Sequence, residues 1–406
     1  MFQRRLAAEL REYAKFPAIA ILGPRQSGKT TLAKAAFKKH VYTSFEDLDT
    51  RSMAQQDPRK FLSVHENKHG IIIDEFQHVP DILSYIQLEV DEKKRPGYFI
   101  LTGSQNFLMN QAITQSLAGR VGILTLLPLS LQELATNNIN TKLTADACMF
   151  NGGYPRIYDK QIKPDKLYPS YIQSYIERDV RQLTNVGDLR SFQRFMQLCA
   201  GRVGQQLNLS ELASVCGISG STAQRWISIL EASYIIFLLQ PFFENFNKRL
   251  TKTPKLYFYD TGLACALLGI KSPELLALHP IRAHLFESFI LSDLSKQYFN
   301  IGKRPPIYFW RDLNGRLEVD GIIDEGLKRF PLEIKSGETV APDFFGGLTQ
   351  WATLAQNPPH NGYVIYGGDL VQERSAGNLI SWKAAGNLVE TIRKTRRIRK
   401  KRKTGR

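Results

Sequence analysis

Short apolar runs alternate with helically spaced stretches through the first third of the chain. Ala18–Leu22 is apolar, partly β-branched, and stops at a Gly-Pro turn. Thr30–Lys39 then has helical spacing, and Val41–Phe45 is a second strand pattern followed by acids. Ile71–Ile73 and Tyr98–Leu101 are two more apolar runs that end in polar residues. Strands alternating with helices predict a parallel sheet covered by helices, an α/β block over residues 1–136. A polar stretch, Asn137–Thr144, opens a helical connector over 137–187, with a turn at Asn151–Pro155.

Leu167–Leu183 and Leu189–Cys199 are helical by apolar spacing. Leu209–Ala213, a Gly-containing turn at Cys216–Gly220, and Thr222–Leu230 give a helix-turn-helix outline. Ile235–Pro241 and Lys255–Tyr259 supply the strands of a wing, so 188–259 reads as a winged-helix-like module. The next stretch, 260–390, carries a helix at Ala283–Tyr298 and strands at Pro306–Asp312, Arg316–Ile323 and Phe330–Lys335. A helix around Leu348–Ala355 and a strand at Gly362–Tyr366 follow, a second α/β domain. Residues 391–406 form a basic tail.

Composition narrows this picture little: 43% hydrophobic and 23% charged residues in a chain of 406 are ordinary globular usage and exclude a wholly disordered or collagenous chain. No run approaches the roughly 18 uninterrupted apolar residues of a membrane helix, so no membrane association is expected. The four cysteines, Cys148, Cys199, Cys216 and Cys265, form no CxxC pair, which points to a reducing cytoplasm. The net charge of +16 changes more. Arg393–Arg406 holds ten Lys/Arg and no acid, leaving +6 for the other 392 residues. The basic excess is therefore mostly one tail, either a phosphate-binding arm or a solvated terminus.

The sharpest chemical signal is Gly23-Pro24-Arg25-Gln26-Ser27-Gly28-Lys29-Thr30-Thr31, which fits G-x-x-x-x-G-K-[ST] between a strand and a helix. Its glycines let consecutive N–H groups point at phosphate oxygens, and the helix adds its positive end. Lys29 would reach the β- and γ-phosphates of a nucleotide, and the Thr30 hydroxyl would hold Mg²⁺. Ile71–Ile73 delivers Asp74 and Glu75 at a strand end, where ligands bind in open α/β sheets. Asp74 would orient the Mg²⁺ shell and Glu75 polarise the attacking water. Beyond Tyr98–Leu101, Ser104 is the favoured residue to bridge the γ-phosphate and the water, with Gln105 or Asn106 next. Arg120 is a cation that either senses the γ-phosphate, in its own subunit or a neighbour's, or is a surface arginine.

Gly23–Leu32, Ile72-Ile-Asp-Glu-Phe-Gln77, Leu101-Thr-Gly-Ser104 and Leu117-Ala-Gly-Arg120 together resemble the prokaryotic AAA-type ATPases that carry a conserved C-terminal domain of poorly known role. The resemblance extends from the N-terminal helix to about Gly367. It implies an ATPase of the additional-strand type, a winged-helix-like middle and a restriction-endonuclease-like C-terminal fold, with ATP and Mg²⁺ as cofactors and an oligomer as one option.

In that last region, Val319-Asp320 ends one strand pattern and Leu332-Glu333-Ile334-Lys335 ends the next. Strand alternation puts Glu333 and Lys335 on one face, and Asp320 can join them from the neighbouring strand. Two carboxylates offer hard oxygens to a divalent cation, and Lys335 can activate water or stabilise a phosphate. Glu287, in the preceding helix, is a further ligand or acid-base candidate, and Gln350 follows in the next helix. The layout resembles the PD-(D/E)xK nuclease superfamily; a paired Glu–Lys on a strand is the plainer reading. His279 and His284 show no zinc-type spacing. Gln224 and Arg225 sit where a recognition helix would read base edges. The expected partners are nucleic acid, with DNA ahead of RNA, or a protein bound by an ATP-driven switch whose C-terminal domain is inactive.

Overall fold

The computed structural model describes residues 2–104, 113, 116–139, 143–175, 189–242, 252–311 and 317–394. The expected alternates Gln105 and Asn106, and the tail beyond 394, lie outside these residues. The first block contains strands β1 (Ala18–Gly23), β2 (Val41–Ser44), β3 (Ile71–Asp74), β4 (Phe99–Ser104) and β5 (Val121–Thr125). All pair in parallel, in the order β2-β3-β4-β1-β5, so β4 stands between β1 and β3. The fully buried β1 explains its apolar run. Ala18, Ala20 and Leu22 pack into one core cluster, while Ile19 and Ile21 face a second with the helix Leu6–Tyr13. Both faces are covered, as parallel sheets require. β5 was not expected from the sequence; its exposures alternate and Ile123 faces outward, so it lacks the continuous apolar signature of its neighbours.

The middle region contains the helices Leu189–Gly201, Leu209–Cys216 and Gly220–Ala232, followed by antiparallel β6 (Ile236–Leu239) and β7 (Lys255–Phe258). Gly217 has φ +66, the left-handed geometry that makes the turn tight. The last region folds around the long helix Arg282–Phe299. Its sheet holds β8 (Ile307–Arg311), β9 (Glu318–Asp324), β10 (Arg329–Lys335), β11 (Tyr363–Tyr366), β12 (Gln372–Arg374) and β13 (Gly377–Ser381). The order is β12-β13-β11-β10-β9-β8. β8, β9 and β10 are antiparallel neighbours, whereas β10, β11 and β13 run parallel. One hydrophobic cluster runs from Leu131 to Ile392 and so joins the middle helices, β7 and this sheet.

A buried ion pair closes the first block, tying the residues before its first helix to its last helix. Arg4 donates through Nε to Glu133 (2.9 Å), through Nη1 to the Ser27 carbonyl (2.7 Å) and through Nη2 to the Leu127 carbonyl (2.6 Å). Glu133 also accepts from the backbone N–H groups of Arg5 and Ser130, closing the capping box of the helix Leu131–Thr136. Burial opposes charge on Glu133, but Arg4 and these donors hold its pKa below the ordinary value of 4.5. A carboxylate whose folded pKa is lowered contributes stability above its unfolded pKa and loses it as pH falls. Glu133→Gln should therefore cost about 3–5 kcal/mol at neutral pH, because Arg4 is left buried without its counter-charge. Denaturant unfolding at pH 7 and below pH 4 checks this: the parent–variant gap should shrink with acidification.

Candidate nucleotide site and C-terminal acidic cleft

Parallel register brings the phosphate loop and the acids to one sheet edge. Gly23 lies beside Ser104, Asp74 beside Thr102, and Ser44 beside Asp74. After β1, Gly23 takes φ +151, and a Cβ there would strike the Leu126 carbonyl. Gln26 and Gly28 have positive φ, which turns the loop back before the helix Lys29–Ala36 starts. Lys29 is buried, and its Nζ donates to the carbonyls of Gly23 (3.1 Å) and Pro24 (2.8 Å), arching over the loop. Thr30 opens the helix beside it, and Thr31 follows.

Asp74 is the hub. It accepts from Thr30 Oγ1 (2.9 and 3.0 Å to its two oxygens), from Thr102 Oγ1, and from the Tyr42 hydroxyl (3.0 Å). Glu75 leaves the strand at φ +54, a left-handed turn that separates its side chain from that of Asp74. Gln77 Nε2 donates both to Glu75 and to Ser104 Oγ (3.0 Å), so one amide joins the two residues singled out in the sequence. Gln77 and Tyr42 carried no role in the sequence reading; Gln77 was legible only as part of the IIDEFQ string. The buried Gln26 Oε1 and Ser27 Oγ have no hydrogen-bond partner among the described residues. An unpaired hydroxyl, that of Ser27, in a loop of wrapped backbone can donate to a phosphate-bearing ligand, and the Thr30–Asp74 pair offers the oxygens a Mg²⁺ shell needs. Gly23–Thr31 could hold ATP, and Thr30 with Asp74 could hold Mg²⁺.

Arg120 does not join this group. Its carbonyl accepts from Ala18 N, level with the start of β1, whereas the loop follows the end of that strand. That is about 17 Å away at roughly 3.3–3.4 Å per residue. Its guanidinium grips Asp91 instead, with 2.9 Å between Nη2 and Oδ2. Sensing the γ-phosphate in its own subunit is thus excluded by the strand length.

The second constellation forms a cleft of about 440 Å³ in the C-terminal sheet. The last β9–β10 register pair is Gly321 with Leu332, so Asp320 and Glu333 come next to each other. Asp320 Oδ2 accepts from Ile334 N (2.8 Å) and lies 4.0 Å from Lys335 Nζ, which donates to Glu333 (2.6 Å). Burial, followed by the charges of Glu333 and Glu287, pushes Asp320 well above the ordinary carboxylate range. Glu333 is also raised, by burial first. A Cβ on Gly347 would collide with Glu333, so a glycine there lets the helix Gly346–Leu354 approach; Gln350 is exposed and does not line the cleft.

Glu287 faces the cleft, but it is already held by Lys255 Nζ (3.3 Å), the Tyr257 hydroxyl and, at 3.9 Å, His284 Nδ1. Lys255 also pairs with Glu318; burial opposes charge on Glu287, but the charge of Lys255 and the hydrogen bonds from His284 and Tyr257 hold its pKa below the ordinary value. Glu287 is therefore a partner of Lys255 before it is a ligand, contrary to the sequence expectation. Among the described residues, no group of three or more His, Cys, Asp or Glu is arranged to hold a metal ion. The Tyr42 hydroxyl gives a direct check of the other site: burial, then Asp74, pushes its pKa up to about 12. A raised phenol pKa stabilises the fold fully below pH ~10 and loses that contribution as pH rises toward 12. In Asp74→Asn, Tyr42 should titrate lower but still above a free tyrosine, as read by ¹³Cζ NMR; an unchanged value would remove Asp74 as its partner.

Three sequence signatures match the chain: an AAA domain at residues 15–135, the domain of unknown function DUF8612 at 143–274, and the domain of unknown function DUF4143 at 282–385. Two uncharacterised mycobacterial proteins, Rv2008c of Mycobacterium tuberculosis and Mb2031c of Mycobacterium bovis, are each 30% identical over 344 residues, covering 83% of this chain and 74% of theirs. Among solved structures, the Walker-type ATPase of Pyrococcus abyssi is 15% identical at TM-score 0.44, covering 66% of this chain and 96% of its own. The Orc1 protein of Aeropyrum pernix, solved in complex with DNA, is 15% identical at TM-score 0.29, covering 70% and 94%. No helix among the described residues is long and apolar enough to cross a membrane. The chain belongs to the family of these mycobacterial proteins, with an AAA-type ATPase domain of P-loop fold at its N-terminus.

Proposed function

We propose that this protein is a Mg²⁺-dependent ATPase that couples ATP hydrolysis to nucleic-acid engagement by its middle and C-terminal regions. The observation that carries the ATPase part is the shared edge of β1, β3 and β4. There the buried Lys29, the Thr30–Asp74 pair and the Glu75–Gln77–Ser104 row sit together. Lys29 and the loop N–H groups bind the phosphates, Thr30 and Asp74 hold Mg²⁺, and Glu75 orients water for in-line attack. Bound Mg²⁺ neutralises charge on the phosphate oxygens. Gln77 keeps Glu75 and Ser104 in register. Arg120 is left either a role toward a neighbouring subunit or that of a surface arginine paired with Asp91.

Support for the nucleic-acid part comes from two places. The helix, Gly217 turn, helix and β6–β7 hairpin have the winged-helix order, with Gln224 and Arg225 exposed on the second helix. The long helix, the antiparallel β8–β10 and the parallel β11 have the restriction-endonuclease-like order, with Asp320, Glu333 and Lys335 converging. The second reading, a switch for a protein partner with an inactive C-terminal domain, is favoured by one observation: Lys255 neutralises Glu287 and Glu318, leaving two carboxylates for any cation.

Lys29→Ala should abolish ATP hydrolysis, and Glu75→Gln should bind ATP while turnover falls by about 10²–10⁴-fold; parent-like turnover in either purified variant would contradict the ATPase reading. Incubation with Mg²⁺ or Mn²⁺ and DNA or RNA tests the cleft. Cleavage lost in Asp320→Ala would support a nuclease. No cleavage, with binding whose affinity does not fall steeply with salt, would favour the protein-partner switch.

A further inference from the structure

The Arg4–Glu133 pair does more than join the two ends of the first block. Arg4 Nη1 reaches the carbonyl of Ser27, the residue before Gly28 in the phosphate loop, and Nη1 lies 3.7 Å from where a Gly28 Cβ would stand. On its other side Arg4 holds Glu133, whose carboxylate caps the helix Leu131–Thr136. The first N–H of that helix, on Leu131, donates to Asp293 Oδ1 at 2.6 Å. Asp293 lies on the long helix Arg282–Phe299, and its second oxygen accepts from Gln297 (2.8 Å). Asn300, just past that helix, reaches Ser130 Oγ (3.4 Å), and Lys296 reaches the Leu129 carbonyl (3.5 Å). The same helix carries Glu287 into the acidic cleft. Glu287 precedes Asp293 by six residues, about 9 Å along a helix axis.

Every link in this path is buried: Arg4, Ser27, Ser130, Glu133, Asp293, Lys296 and Glu287. Charged groups so placed have few alternative partners, so movement of one must be followed by its neighbours or leave a charge unpaired. The phosphate loop is the end of the path with unmet demand, since Ser27 Oγ has no partner among the described residues. A phosphate that accepts from the Ser27 hydroxyl acts on the same residue whose carbonyl Arg4 holds.

We infer that Arg4 is a positioning residue for the phosphate loop. Through Glu133, the helix cap and Asp293, it ties the nucleotide state of that loop to the helix that presents Glu287 to the acidic cleft. This rests on the reading of the loop as a nucleotide site. The coupling is reciprocal: occupation of the cleft would shift nucleotide affinity by the same factor that nucleotide shifts binding at the cleft.

The test uses the full chain, with fluorescent ATP binding, steady-state hydrolysis, and hydrogen–deuterium exchange with and without a non-hydrolysable ATP analogue. In the parent, the analogue should change exchange across 282–299. Arg4→Met alone strands the buried Glu133 without its counter-charge, so the paired variant Arg4→Met with Glu133→Leu removes both charges. It should fold and yet lose about tenfold or more in hydrolysis, the scale of one lost hydrogen bond to a charged group. Asp293→Asn should keep basal hydrolysis near the parent while the exchange response across 282–299 disappears. Parent-like hydrolysis in the paired variant, or an exchange response in Asp293→Asn equal to the parent's, would overturn the inference. Absence of fluorescent ATP binding in the parent would instead defeat the nucleotide-site reading itself.

Discussion

Parallel register is the constraint on which the site depends. Because β1, β3 and β4 run the same way, their C-terminal ends share one edge, with Gly23 beside Ser104 and Asp74 beside Thr102. A parallel sheet leaves each strand's connection to cross over a face, so the loops that follow the strand ends are free to gather. Residues 23, 74 and 104, far apart in sequence, become one surface. The same constraint disposes of Arg120, which stands at the opposite edge and is out of reach of its own loop.

Each strand then does a second job by how it ends. β1 ends in a glycine whose neighbour is a backbone carbonyl, so the loop can turn tightly. β3 ends in a buried aspartate that two hydroxyl-bearing threonines and a tyrosine surround. Glu75 escapes the same burial by a left-handed turn, which separates two adjacent carboxylates into two chemical environments. The C-terminal cleft uses different means to the same end. Antiparallel β9 and β10 bring Asp320 and Glu333 together, and Lys335 and Lys255 divide the charge between two pairs of acids.

Much of this was legible in the sequence where one local signal was enough. The apolar runs of β1, β3 and β4 stand out because both faces are buried, and the Gly-Lys-Thr turn has a spacing few other structures need. The helix-turn-helix segment with its hairpin, and the strands β8 to β11, follow from periodicity within one to three residues at their ends. β5 and β12 escaped because they are edge strands with exposed positions, and β13, though interior, is too short and too mixed in polarity (GNLIS) to stand out as an apolar run. Arg4 and Glu133 are separated by 129 positions and look like ordinary surface charges until the fold brings them together. Gln77 and Lys255 were hidden for the same reason: their partners are set by register and packing, not by spacing. Glu287 was found, but its prior engagement with Lys255 and Tyr257 lies in the tertiary structure alone.

The central claim is that the edge formed by β1, β3 and β4 is a Mg²⁺–ATP site. Isothermal titration of the full chain with ATP, with and without Mg²⁺, tests it most directly. The proposed site predicts one ATP bound per chain, with affinity that strengthens when Mg²⁺ is present because Thr30 and Asp74 would hold the cation. Absence of ATP binding in both conditions, or binding indifferent to Mg²⁺, would contradict it.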